Sequence, residues 1–168
     1  IRDSPNWTVA QNIASPLMAK QLDASERKRI VARLAETLGI SELLQRLPSE
    51  LSGGQQQRVA IARALAQQAD VLVLDEPLVN LDYKLREALV LELKTLLAET
   101  GATVIYTSTD PRDAFALGDQ VLLLHEQSLL QSGTPLGLYQ SPKCLAAARL
   151  MSDPGVNLLP GPNFNGGE

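Results

Sequence analysis

The apolar run over residues 71–74, followed directly by Asp75 and Glu76, constrains the fold of this chain more than any other segment. Four consecutive aliphatic residues fit a strand that is buried on both faces, as in the middle of a parallel sheet. Open α/β sheets place their ligands at the carboxyl ends of their strands. We therefore expect the two carboxylates to emerge at a ligand-binding edge, although an apolar strand that ends in acidic residues can also simply meet solvent.

A second motif, about 20 residues before this strand, predicts a helix start that can bind a phosphate. Residues 51–57 read LSGGQQQ. Ser52 can cap the helix, and Gln55 stands three residues later, which is the spacing of a capping box. Gly53 and Gly54 allow a ligand to approach the backbone closely, and a helix N-terminus favours an anion. Taken alone, the same residues also fit an ordinary loop and helix cap.

Strands alternate with helices after this motif, which predicts a parallel α/β sheet. The predicted strands cover residues 71–74, 103–107 and 120–125, with a hairpin-like return over 128–131. The predicted helices cover residues 8–20 with a break at Pro16, 23–38, 41–47, 55–67, 84–99, 111–117, 135–139 and 142–151. After Asp153 the sequence is rich in Pro, Gly and Asn, which indicates a linker.

The composition narrows the classes of protein that fit. The net charge is −4 and the Lys and Arg residues are dispersed, which argues against a nucleic-acid-binding surface. Cys144 is the single cysteine, so the sequence holds no internal disulfide framework and fits a reducing cytoplasm. No apolar run reaches the ~18 residues of a membrane helix, and no signal peptide opens the chain. We therefore expect any link to a membrane to go through a partner.

The two motifs resemble those of the ABC-type ATPases, as does the stretch Asn80-Leu81-Asp82 just downstream. The first motif resembles the family's signature, the strand with its carboxylates the Walker B strand, and the third stretch the D-loop. The resemblance covers about Pro5 to Pro142. It implies an α/β fold, in which a partial parallel-sheet core of the P-loop NTPase kind carries an α-helical subdomain.

The resemblance also implies an organisation in three parts. Residues 1–50 would form the helical subdomain, residues 51–142 the signature helix and a RecA-like α/β core, and residues 143–168 a C-terminal helix and a linker toward a regulatory β-domain. No GxxxxGK[ST] phosphate loop occurs in these residues, and in the family that loop lies upstream of the motifs found here. We therefore expect the C-terminal part of a nucleotide-binding domain, without ATPase activity when it is alone.

Roles in ATP hydrolysis follow from the resemblance. Asp75 would hold Mg²⁺, directly or through a bound water, and Glu76 would polarise the attacking water. Asp82 belongs to the D-loop, which crosses between two ATPase subunits. The expected cofactors are ATP and Mg²⁺. The residues that would bind the γ-phosphate of an ATP held by the second subunit are Ser52, Gly53, Gly54 and Gln55.

The switch position departs from the family pattern. The family usually has a histidine there, in the pattern V-T-H-D, whereas residues 107–110 read TSTD and place Thr109 at that position. Threonine carries no positive charge and reaches less far toward a γ-phosphate, which argues against hydrolysis at this chain's own site. The single histidine, His125, is expected to be a strand-end residue. Gln57 and Arg58 are expected mainly to support the signature helix and its packing.

Residues 133–142 resemble the G-T-P-x-x-x-Y-x-x-P pattern of bacterial carbohydrate importers. The resemblance therefore implies an ATP-hydrolysing importer subunit for a sugar, glycerol phosphate or a related solute. Its partners would be integral membrane permease subunits, a second ATPase subunit in a homo- or heterodimer and, indirectly, a substrate-binding protein, with no nucleic acid. It would lie peripherally on the cytoplasmic face of the bacterial inner membrane.

Two other functions stay open. The first is a non-hydrolysing subunit that completes the site of another ATPase, which Thr109 favours and Glu76 disfavours. The second is a soluble ABC protein of DNA repair or translation. Such proteins carry two cassettes or long coiled-coil insertions, and neither feature is visible in this sequence.

Overall fold

The structure is a computed structural model that describes residues 4–79 and 83–157, and the side chains of all of these except residues 83–85. The chain divides after Ser108 into two compact units, residues 1–108 and 109–168. Asn80, Leu81 and Asp82, which form the predicted D-loop, lie outside the described residues.

The first unit begins with helices that start at capping side chains. Each cap accepts a hydrogen bond from a backbone N–H of the first turn, which would otherwise lack an acceptor. As predicted, the first helix is interrupted at Pro16, where a 3-10 turn (Ser15–Ala19) takes over. The three helices are α1 (Val9–Ala14, capped by Thr8), α2 (Ala24–Thr37, capped by Asp23) and α3 (Gly53–Ala66, capped by Ser52).

The segment between α2 and α3 is less helical than the sequence predicts. The predicted helix over residues 41–47 is wrong, since the structure has one 3-10 turn (Ser41–Leu43) and a second one (Pro48–Glu50). A residue that precedes proline is driven away from the helical region, and Leu47 has φ −85° and ψ 154°. Leu47 therefore cannot continue a helix toward Pro48, and the segment forms two short 3-10 turns instead.

Helix α3 forms the centre of the first unit, because it packs against α1, α2 and the first strand. Gly39 ends α2 with a φ of +60°, a conformation that glycine adopts without strain, and this sends Ile40 into the core. The buried apolar side chains of the helices are Val9, Ile13, Val31, Leu34, Ala35, Val59, Ile61, Ala62, Leu65 and Ala66.

Two parallel strands complete the first unit, β1 (Val71–Asp75) and β2 (Thr103–Thr107), joined through α4 (Tyr83–Thr100). The predicted parallel pairing is confirmed, and its register places Asp75 opposite Thr107. The expectation that both faces of β1 are buried is wrong for the described residues. Within the part of the chain that the structure describes, Leu72 and Leu74 are buried on one face of β1, whereas Val71 and Val73 on the opposite face are 54% and 61% exposed.

The second unit is built on an antiparallel hairpin of β3 (Val121–His125) and β4 (Ser128–Gly133). Glu126 and Gln127 connect the strands with positive φ angles, as two-residue hairpin loops require. Its core consists of Leu123, Leu138, Ala147 and Met151. Three short helices surround the hairpin: α5 (Pro111–Leu117), α6 (Pro135–Gln140) and α7 (Leu145–Leu150).

The predicted three-part organisation stays a prediction. Its first boundary, after residue 50, falls between the Pro48–Glu50 turn and α3, inside the first compact unit. Its second boundary, after residue 142, falls between α6 and α7, inside the second unit. None of the helices within residues 4–79 and 83–157 is long and apolar enough to cross a bilayer.

Asn12 generates a first prediction, because its buried carboxamide holds the segment that leads into α1. Its Oδ1 accepts from the Ser4 N–H at 2.8 Å, and its Nδ2 donates to the carbonyls of Ser4, Trp7 and Thr8 at 3.0 to 3.2 Å. Replacement by alanine removes these bonds, and a partly buried group such as the Ser4 N–H that loses its partner costs ~1–3 kcal/mol. We expect Asn12→Ala to lower the free energy of unfolding by about 2 kcal/mol, measured by denaturant titration of the intact protein.

The control is Asn6→Ala in the same segment, where the side chain is exposed. A surface substitution of this kind changes the free energy of unfolding by less than about 0.5 kcal/mol. Equal stability of the two variants would show that the Asn12 hydrogen bonds do not hold the segment.

Candidate functional site

The carboxyl end of the β1–β2 pair brings one hydroxyl and two acidic residues together. Thr107 Oγ1 donates a hydrogen bond to Asp75 Oδ1 at 2.6 Å, a length typical of a hydroxyl bound to a carboxylate. The same oxygen accepts from the backbone N–H of Glu76 at 3.0 Å. Both predicted carboxylates therefore lie at the expected edge of the strand pair, and a single side chain of the neighbouring strand touches both residues.

Glu76 holds an unusual backbone conformation at this edge. Its φ is +41°, in the left-handed region that non-glycine residues rarely occupy and that costs ~1–3 kcal/mol. Its carbonyl oxygen accepts from Gln57 Nε2 at 3.0 Å and from the Val79 N–H at 3.3 Å. The backbone at Glu76 is thus hydrogen-bonded on both its N–H and its C=O, which fixes the point from which the carboxylate leaves the strand.

The start of α3 has the predicted capping box. Ser52 Oγ accepts from the Gln55 N–H at 3.3 Å, and Gln55 Oε1 accepts from the Ser52 N–H at 2.9 Å. Ser52 and Gly53 are exposed, and a methyl group added at Gly53 would meet no atom within 4 Å. Gly54 also belongs to this first turn. The space in front of the turn is therefore open to an anion that approaches the positive end of the helix.

The switch position and the histidine fall in the second unit. Thr109 is exposed and precedes Asp110, whose carboxylate caps α5 by accepting from the Arg112 N–H at 3.0 Å. His125 ends β3 and is exposed, as expected of a strand-end residue. Asp82 lies outside the described residues, so its predicted role at a subunit interface stays a prediction.

The donor set at the strand edge fits a magnesium ion that is shared with phosphates. Asp75 is exposed and its Oδ1 is held by Thr107, so the side chain offers a fixed, hard oxygen ligand. Mg²⁺ commonly takes one or two carboxylates and completes its shell with water and substrate phosphates. Within residues 4–79 and 83–157 no three His, Cys, Asp or Glu side chains cluster as a metal cage.

Sequence reasoning missed the importance of two residues. From the sequence, Thr107 is only a neighbour of the switch position, and Gln57 is predicted only to support the packing of the signature helix. The signal for Thr107 lies in the register, because two parallel strands of equal length end at the same edge. The position of Gln57 could not be anticipated, since it depends on how α3 packs against β1. Arg58 acts as expected: its Nη1 donates to the carbonyls of Leu38 and Gly39 at the end of α2.

Comparison with known proteins gives a consistent result. Residues 2–79 match the family described as "ABC transporter". The chain is 45% identical over 155 residues to the spermidine/putrescine import ATP-binding protein PotA of Thermotoga maritima. The aligned residues make up 92% of this chain and 42% of that protein. The chain is 41% identical over 155 residues to the trehalose/maltose import ATP-binding protein MalK of Thermococcus litoralis, with the same coverage.

A third relative carries a different solute in its name. The chain is 37% identical over 158 residues to the sn-glycerol-3-phosphate import ATP-binding protein UgpC of Brucella abortus, which covers 94% of this chain and 45% of that protein. The chain therefore spans less than half the length of these relatives. The names of the relatives agree on import and on ATP binding but differ in the solute.

The capping box at the start of α3 generates a second prediction. Ser52→Ala removes the acceptor for the Gln55 N–H, and a lost N-cap costs about 1 kcal/mol. We expect that loss in the free energy of unfolding, measured by denaturant titration of the intact protein. Ser49→Ala, in the exposed turn just before α3, is the control and should be neutral. If the two variants are equally stable, the Ser52 cap does not stabilise the helix.

Proposed function

This chain belongs to the ABC transporter family, and we propose that it forms part of an ATP-hydrolysing subunit that energises a solute importer. Family membership rests on residues 2–79 and on relatives at 37–45% identity. The names of those relatives describe import ATP-binding proteins, which supports import rather than a non-transport role for this chain.

The observation that carries the proposal is the arrangement at the end of β1. Asp75 and Glu76 are consecutive, and the backbone leaves the strand at Glu76 in a left-handed conformation, with a φ of +41°. Asp75 is hydrogen-bonded by Thr107, as a metal ligand must be if it is to stay in one position. Two adjacent carboxylates with different environments can take different roles, one toward a metal and one toward water.

In the proposed mechanism the chain positions groups around a phosphate rather than forming a covalent bond. Bound Mg²⁺ would neutralise the charge that develops on the phosphates. Asp75 would hold that ion, directly or through a water molecule. Glu76 would accept a hydrogen bond from the attacking water and orient it, and a positioned base contributes on the order of 10²–10⁴ in rate.

The capped start of α3 would serve a second subunit. Ser52 and Gly53 are exposed at an open helix end, so a γ-phosphate held by a partner could reach them. Gly54 and Gln55 would complete that contact, and Asp82 would lie at the subunit interface. Both the bound ATP and the partner subunit are part of the proposal.

A solute and a location complete the proposal. We propose a sugar or a related small solute, which the trehalose/maltose and sn-glycerol-3-phosphate relatives support and the spermidine/putrescine relative does not. The subunit would bind membrane permease subunits, pair with a second ATPase subunit and receive solute indirectly from a substrate-binding protein, without nucleic acid. It would lie peripherally on the cytoplasmic face of the bacterial inner membrane.

A second candidate function rests on Thr109. This residue stands where the family usually has a histidine, and its hydroxyl cannot supply a positive charge to a γ-phosphate. The chain could then complete the site of a different ATPase subunit without hydrolysing ATP at its own. The intact start of α3 is compatible with this role, whereas the paired Asp75 and Glu76 favour hydrolysis.

Glu76→Gln provides the third prediction. The amide keeps the size of the side chain but cannot act as a base, so we expect turnover in the intact protein to fall at least about 100-fold. ATP should still bind and stay trapped, because the change leaves the phosphate contacts in place. Phosphate release and retention of labelled ATP on the protein measure the two effects separately.

Glu92→Gln is the matched control, because Glu92 is an exposed carboxylate on α4. It should hydrolyse ATP at the parental rate. Parental turnover in Glu76→Gln as well would make Glu76 a structural residue of the strand end, and hydrolysis by this pair of carboxylates would be excluded.

The fourth prediction separates the two candidate functions in a complex with a different ATPase subunit. Ser52→Arg places a bulky cation where the partner's γ-phosphate must approach, so we expect a severe loss of ATPase activity and solute uptake. The lost cap, at about 1 kcal/mol, is too small to explain that loss by unfolding. Thr109→Ala should have a much smaller effect if this chain mainly completes the partner's site.

Ser49→Arg, which adds the same charge to an exposed position before the cap, is the control for Ser52→Arg. An equally severe loss in Thr109→Ala and Ser52→Arg would show that Thr109 takes part in hydrolysis, and the second candidate function would be rejected.

A further inference from the structure

We infer that Thr107 is a positioning residue for both carboxylates of this site, and that Gln57 supports the same arrangement from α3. The inference rests on the proposed function, in which Glu76 orients the attacking water. It adds two residues of this chain that would control hydrolysis through their contacts with Asp75 and Glu76.

The Thr107 hydroxyl makes two hydrogen bonds at once, one as a donor and one as an acceptor. A hydroxyl can donate one hydrogen bond and accept others at the same time. Thr107 gives its proton to Asp75 Oδ1 at 2.6 Å and accepts the Glu76 N–H at 3.0 Å. The position of one oxygen atom therefore determines both the rotamer of the Asp75 carboxylate and the direction of the Glu76 backbone.

The backbone of Glu76 is also fixed. A left-handed conformation at a non-glycine residue persists only where its surroundings hold it in place. Here the N–H is held by Thr107, and the carbonyl is held by Gln57 Nε2 at 3.0 Å and by the Val79 N–H at 3.3 Å. Loss of either side-chain contact would let the backbone of Glu76 relax and move its carboxylate.

These contacts have a chemical consequence. A displacement of about 1 Å at a reacting group can lower a rate by about 100-fold while leaving binding intact. Thr107 contacts Asp75 and Glu76, and Gln57 contacts Glu76. Removing either side chain should therefore reduce kcat for ATP hydrolysis. KM for Mg-ATP should change less than kcat, because the Asp75 carboxylate is the one proposed Mg-ATP contact that Thr107 holds.

Thr107→Val and Thr107→Ser provide the test. Valine keeps the shape and the strand preference of threonine but has no hydroxyl, whereas serine keeps the hydroxyl and loses the methyl group. In the intact protein we expect Thr107→Val to lower kcat about 10- to 100-fold, with KM for Mg-ATP within about threefold. Thr107→Ser should restore kcat to within about threefold of the parent.

The control for these variants is Thr103→Val at the other end of β2. Thr103 is also exposed, and its backbone pairs with Asp70, away from the two carboxylates. It should leave kcat, KM and the melting temperature unchanged. A purely structural role of Thr107 would instead lower the melting temperature of Thr107→Val and give no rescue by serine, which would overturn the inference.

Gln57→Met tests the contact from α3. Methionine has a similar length but donates no hydrogen bond, so we expect kcat to fall about 3- to 30-fold with KM nearly constant. Gln67→Met, at the exposed end of α3, is the control. Because both residues act through Glu76, the double variant Thr107→Val/Gln57→Met should lose less activity than the product of the two single losses. A fully multiplicative loss would overturn the shared role.

Glu76→Gln separates failure of the inference from failure of the proposed function. If Glu76→Gln keeps parental turnover, the proposed function fails, and the positioning role fails with it. If Glu76→Gln is inactive while Thr107→Val and Gln57→Met keep kcat within about twofold of the parent, the proposed function stands and the positioning role alone is rejected.

Discussion

The register of two parallel strands is the constraint on which the candidate site depends. Because β1 and β2 run in the same direction and both end at the Asp75–Thr107 pair, their polar terminal residues must meet at one edge. The bonds from Thr107 to Asp75 and Glu76 follow from that pairing. A slip of the pairing by one residue would turn the Thr107 side chain to the other face and separate the hydroxyl from both acidic residues.

Helix α3 connects this edge with the helical part of the first unit. Its buried side chains, which include Val59, Ala62 and Leu65, lie among α1, α2 and β1, so the helix is held on several sides. The polar residues at its start make two kinds of contact. Ser52 and Gln55 cap the helix, and Gln57 donates a hydrogen bond to the carbonyl of Glu76. The same packing that stabilises the unit therefore sets the distance between the helix start and the carboxylates.

The sequence predicted most of the elements, because their signals are local. The strand Thr103–Thr107 and the helix Pro111–Leu117 have the predicted bounds, and the cap at Ser52 is present. The missed features are not local. The exposure of one face of β1 depends on what packs over that face, and the Gln57 contact depends on the packing of α3. The conformation of Glu76 was not predictable either, since it is held by partners 19 and 31 residues away.

The contact between Gln57 and Glu76 couples the open start of α3 to the carboxylates through the first two turns of one rigid helix. Ser52 and Gln57 are five residues apart, so roughly 7.5 Å of helix separates the open start from the carbonyl that Gln57 holds. An α-helix of this length does not stretch, so a ligand that pulls on Ser52 would also shift Gln57 and, with it, the Glu76 backbone. In the proposed pair of subunits, a nucleotide bound at Ser52 would thereby change the carboxylate pair of the subunit that contributes the helix.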